Sequence, residues 1–60
     1  MADSNYIIEF IQQGKHVKVT AVDPRSMREV STIAPVDLSR DEMMRLAVQK
    51  LEYVLGKESS

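Results

Sequence analysis

The sequence predicts an α+β domain, a three-stranded antiparallel β-meander followed by one C-terminal α-helix packed on one face (βββα), and three observations predict it. Two apolar-rich runs flank Gly14-Lys15 at hairpin spacing, a proline turn leads from the second run into a third, and a capped segment of helical periodicity closes the chain. The 60 residues are expected to form a single domain, 1–60. A chain this short buries only about 60% of the surface its unfolded form exposes.

The first strand is expected at about 6–13 and the second at about 16–23. Gly14 can take the positive φ that two-residue hairpin turns require. Setting Gln13 opposite His16 pairs Gln12 with Val17, Phe10 with Val19 and Ile8 with Ala21, which gathers one apolar face. The opposite face then carries Ile7, Glu9 and Ile11 against Val22, Thr20 and Lys18, half polar and half apolar. Asp23-Pro24-Arg25-Ser26 has turn chemistry, with Pro pre-setting φ and Asp able to bond the backbone ahead of it. The third strand, about 28–33, places Val30 opposite Ala21 and adds Thr32 to the inner face. Glu29, Ser31 and Ile33 join the outer face, and Pro35 ends the strand because it cannot donate to a ladder.

The helix is expected at about 40–55. Ser39 with Glu42 forms a capping box, Leu38 with Met43 a hydrophobic staple, and Gly56 a stop, with Lys57 at the negative end of the dipole. The tail, 57–60, is expected to fray. Asp41 and Arg45 stand at the supporting i, i+4 spacing. At roughly 100° per residue the apolar positions from Met43 to Leu55 cover an arc of about 220°, where a surface helix needs little over about 100°. Sheet and helix each carry more apolar surface than the other can cover.

Composition narrows the remedy. Small domains are stapled by disulfides, a metal or oligomerisation. The chain has no cysteine and one histidine, so the first two routes close. A homodimer is therefore expected, with Ile7, Ile11, Val22, Ile33, Met44, Val48 and Leu55 as the candidate interface, or an unidentified protein partner on the same residues. Lys50 lies within the apolar arc. Its stem packs while its ammonium snorkels to water, or it forms an interface charge pair with a residue such as Glu9.

Eight Lys or Arg against nine Asp or Glu give a net charge of −1, which provides no broad field for nucleic acid or a membrane surface. Met1 to Asn5 shows no basic or apolar leader and no apolar run is long enough to span a bilayer, so the expected location is cytoplasmic. His16 has no companion ligand and fits a solvated turn. Asp37, Asp41 and Glu42 complement the helix dipole better than a cation site. With Gly14 and Gly56 the only glycines, there is no phosphate loop. The chain is expected to be no enzyme, with no catalytic, cofactor-binding or metal residues and no cofactor. Lys18, Arg25 and Arg28, with Tyr6, Phe10 and Tyr53 as the only aromatics, offer little to nucleic acid.

The segments YIIEFIQQGKHVKVTAVDP, REVS and AVQKLEYVLGK resemble a family of short bacterial proteins classed as a domain of unknown function. The resemblance implies a bacterial origin and brings no activity or site residues. The βββα order is also similar to the antitoxin-like half of HicB-type proteins, whose proline-glycine stretch between sheet and helix is replaced here by IAPVDLSRDE. The expected function is a small non-catalytic protein-interaction module that self-associates. The alternative is a nucleic-acid-associated or antitoxin-like regulator.

Overall fold

A computed structural model describes residues 5–59, with side chains through Lys57. The expectations for the leader at residues 1–4 and for the tail end at Ser60 lie outside the described residues. The hairpin forms as the spacing dictates. Strand β1 (Ile7–Gln13) pairs antiparallel with β2 (His16–Asp23), with Phe10 facing Val19, Ile8 facing Ala21 and Gln12 facing Val17. Gly14 has φ +66 and no non-glycine residue shares that sign in this turn, the pattern of a type II′ turn with glycine at its first central position.

The second turn is built around Asp23. Its Oδ1 accepts from the Arg25 amide at 3.1 Å and its Oδ2 from the Ser26 hydroxyl at 3.1 Å, while its carbonyl accepts from the Met27 amide at 2.8 Å. This explains how a buried carboxylate is tolerated there. Met27 closes the loop with φ 62, a left-handed conformation that costs a side-chain-bearing residue about 1–2 kcal/mol.

Strand β3 (Arg28–Pro35) completes the sheet in the order β1-β2-β3 and runs two residues beyond the expected Ile33, pairing Ala34 with Val17 and Pro35 with His16. Main-chain direction explains why Pro35 is accommodated. Val36 donates to the Lys15 carbonyl at 3.0 Å, so the residues paired on that side of β2 alternate with the outward-pointing ones, and Pro35 falls where no donation to β2 is needed.

Helix α1 (Arg40–Ser59) starts where the cap predicts. Ser39 Oγ accepts from the Glu42 amide at 3.1 Å and the Ser39 carbonyl takes the first helical bond from Met43 at 3.0 Å. The box is closed differently from the usual pattern, because the Glu42 carboxylate receives the Ser39 hydroxyl at 3.4 Å. Gly56 does not stop the helix, and Lys57 to Ser59 are helical rather than frayed. A glycine permits a left-handed cap without imposing one. Leu55 is packed on the core and the Lys57 ammonium lies 5.6 Å from the Tyr53 ring centroid, one turn back, so contacts on both sides of Gly56 keep helical register.

The core sits between α1 and the strands β2 and β3, on which the helix rests. Val17, Val19 and Ala21 from β2, Ala34 from β3 and Met43, Ala47 and Leu51 from α1 are buried together. The alanines are decisive: Ala21, Ala34 and Ala47 are at most 1% exposed, and small side chains on both surfaces let helix and sheet approach closely. Ile8 and Phe10 of β1 are only half-buried against this cluster.

Candidate interaction surface

The outer side of the sheet is written by register. Its rows across β1, β2 and β3 are Ile7-Val22-Glu29, Glu9-Thr20-Ser31 and Ile11-Lys18-Ile33. Ile7 is 57%, Ile11 42% and Ile33 59% exposed, with Val22 half-buried between its neighbours. Glu9, Lys18 and Glu29 interrupt them, and Thr20 and Ser31 join hydroxyls across the strands at 3.1 Å. This face is striped, apolar and polar in alternation.

The other candidate residues lie across the sheet from these. Because α1 rests on β2 and β3, a groove of about 550 Å³ opens between the helix and β1, lined by Tyr6, Ile8, Met44 and Val48 with Asp41 and Arg45 at its rim. Met44 is 40% exposed and Val48 half-buried. Further along, the Arg40 guanidinium lies 5.0 Å from the centroid of the Phe10 ring, a cation–π contact that partly roofs the strand. Tyr6 closes the far end. Partial burial holds its phenol above the ordinary value of 10.0, and the carboxylates of Glu52 and Asp23 push it the same way against the pull of Arg25.

The candidate residues therefore form two groups on opposite faces of the sheet, rather than one patch. Leu55 is half-buried against the core cluster and does not line the groove. Tyr6 and Ile8 are missing from the sequence-based set, because the offset of the helix toward β3 is invisible in periodicity. Leu46 and Tyr53, both exposed, occupy the opposite flank of the helix arc; the width of that arc signals a surplus on both sides. His16 is exposed beside its turn, Asp37, Asp41 and Glu42 are exposed around the helix start, and Arg25 and Arg28 sit at the β2–β3 turn, with Lys18 in mid-sheet. Among the described residues, no group of three or more His, Cys, Asp or Glu is placed to hold a metal ion.

Compared with known families, residues 3–58 match the one described as Domain of unknown function (DUF6898). The chain belongs to that family. No curated protein and no solved structure matches it. Among the described residues of this DUF6898 domain, no helix is long and apolar enough to cross a membrane.

The two edges of the DUF6898 sheet differ in kind. On β3 the outward-pointing main-chain groups belong to Glu29, Ser31, Ile33 and Pro35, by the alternation that the Val36 to Lys15 bond sets. Lys50 reaches over this edge from α1 and its Nζ donates to the Ser31 carbonyl at 2.8 Å. Within the chain, the exposed Lys50 ammonium thus has a main-chain acceptor on β3. Pro35 presents no N–H at all. On β1 the same alternation turns Ile8, Phe10 and Gln12 outward. No hydrogen bond from another described residue reaches their main-chain groups.

Proposed function

We propose that this DUF6898 domain is a small non-catalytic interaction module that works as a homodimer, in the cytoplasm of a bacterial cell. One observation carries the reading: apolar side chains are left uncovered on both sides of β1, Ile7 and Ile11 exposed on the outer face and half-buried Ile8 in the groove with Met44 and Val48 of the helix. A domain this size has little core to spare, and Val19, Ala21, Ala47 and Leu51 already make up most of its fully buried part. Association covers apolar surface that folding alone leaves wet, and couples stability to protein concentration. Sedimentation velocity at micromolar concentration tests the reading. A dimer is expected, with a thermal midpoint that rises with concentration. Replacing Ile7 and Ile11 together by Lys is expected to give a monomer of lower midpoint. A stably folded monomer of the unmodified chain at about 100 μM overturns the reading.

A further inference from the structure

The contrast between the two edges says where a second copy fits. An exposed strand edge is a template for another strand, and soluble proteins blunt such edges with lysine, proline or a covering element. The β3 edge has two of these devices: the Lys50 ammonium, brought from α1 onto the Ser31 carbonyl, and Pro35. Among the described residues the β1 edge has neither, for Ile7–Gln13 contains no lysine or proline, α1 is displaced away from it, and Arg40 lies over the Phe10 ring rather than on the main chain.

We propose that two copies of the chain join along β1, antiparallel, about a two-fold axis through Phe10, to make one continuous six-stranded sheet. The proposal rests on the self-association reading above and adds to it the seam and the register. Three registers keep the faces of the two sheets aligned near the strand centre. A two-fold at Glu9 sets that carboxylate against its own twin in a close pair, and like charges directly opposite are destabilising. A two-fold at Ile11 pairs Ile8 with Gly14 beyond the strand end and leaves part of β1 unpaired. The two-fold at Phe10 pairs the whole of Ile7–Gln13 with its copy. Glu9 then faces Ile11, Ile7 faces Gln13, and the outward groups of Ile8, Phe10 and Gln12 exchange about six main-chain hydrogen bonds. On the helix side the seam sets each copy's groove, lined by Ile8, Met44 and Val48, beside the partner's Gln12.

The outer face is the weaker place for a seam. Interface centres are depleted of charge, and Glu9, Lys18 and Glu29 are spread through that face. Stacking two copies about an axis parallel to the strands sets Lys18 against its twin at the centre. Edge pairing leaves all three charges in water.

The chain has no native cysteine, so disulfide trapping reads the seam directly. In the Phe10 register the Cα atoms of Glu9 and the partner's Ile11 stand about 4.5 Å apart, within disulfide reach, while Glu9 and its own twin are about 7–8 Å apart, beyond it. Chains carrying Glu9→Cys mixed with chains carrying Ile11→Cys are expected to cross-link at least about tenfold more efficiently than either alone. Gln12→Pro removes an outward N–H without breaking the β1–β2 ladder, and is expected to raise the dimer dissociation constant at least about tenfold while far-UV circular dichroism of the monomer is retained. Cross-linking of Glu9→Cys with itself, or of Ile11→Cys with itself, overturns the register. A dimer that traps at Thr20→Cys and nowhere on β1 overturns the edge and leaves self-association standing. A monomer at about 100 μM removes both.

Discussion

The β1 and β3 edges of one small sheet have met the same physical problem in different ways. Both strands present a row of main-chain donors and acceptors to the outside. On β3, α1 lies close enough for Lys50 to bond the Ser31 carbonyl and the strand ends in a residue with no N–H. On β1 the helix stands off, a groove opens, and Tyr6, Ile8 and Phe10 are left half-covered. The difference teaches that a single helix cannot serve a three-stranded sheet evenly. A helix is about 10–12 Å across with its side chains and strands are spaced about 4.8 Å apart, so the helix covers two strands well and the third poorly. Seating it on β2 and β3 leaves β1 as the open side, on the helix face and along its edge.

Breaking the covered side is expected to have the largest effect. Leu51→Ala removes a fully buried side chain between α1 and the sheet and is expected to cost about 2–5 kcal/mol, as read by urea denaturation. Ile7→Ala on the open side is expected to change monomer stability by less than about 0.5 kcal/mol while weakening the proposed dimer. Equal costs at the two positions would erase the contrast between the sides.

Removing the guard from β3 is the next largest. Lys50→Met keeps the apolar stem, takes away the donor to Ser31 and is expected to cost about 1 kcal/mol. More tellingly, a freed β3 edge is expected to add species larger than the proposed dimer in sedimentation at about 100 μM, since an edge left open at each end of a sheet permits open-ended growth. An unchanged size distribution would show that the edge is guarded without Lys50, with Pro35 in place.

The turn that delivers the chain into β3 gives a smaller effect of opposite sign. Met27 is 78% exposed at φ 62, so Met27→Gly loses little packing and relieves a strain of about 1–2 kcal/mol, against about 0.5–1 kcal/mol of added unfolded-chain entropy. The thermal midpoint is expected to rise, by the equivalent of about 0.5–1 kcal/mol.

The smallest effect belongs to the start of β1. Because the Tyr6 phenol is held above its ordinary value of 10.0 in the folded chain, its contribution is present below that pH and is lost as pH rises through the folded value. The unfolding midpoint of the wild-type chain is therefore expected to fall more steeply above about pH 10 than that of Tyr6→Phe. Parallel profiles would place the phenol in water.

Much of this arrangement was legible in the residues. Gly14-Lys15 set the hairpin register, and with it every pair from Ile7 with Val22 to Gln13 with His16, because a two-residue turn leaves no slack and a one-residue slip would turn the apolar set outward. Asp23 and Ser39 marked their turn and cap through short side chains whose reach is a few residues. These are local interactions, decided within a turn or two of chain. The end of the helix was not legible, since Gly56 allows a stop that the packing of Leu55 and the Lys57–Tyr53 contact override.

Tertiary structure alone decided the lateral seating of the helix. Periodicity gives the centre and width of an apolar arc, and that arc could rest over β1 and β2 as well as over β2 and β3. Ala34 at 1% exposed, opposite Val17 and beneath the helix, shows which pair won. From that seating came everything that separates the two edges: the groove beside Tyr6 and Ile8, the reach of Lys50 to Ser31 across 19 positions of sequence, and the bare β1 strand. Sequence pattern states how much apolar surface each element carries; only the docking of one element on another, a contest among distant contacts, decides which part of it is left uncovered.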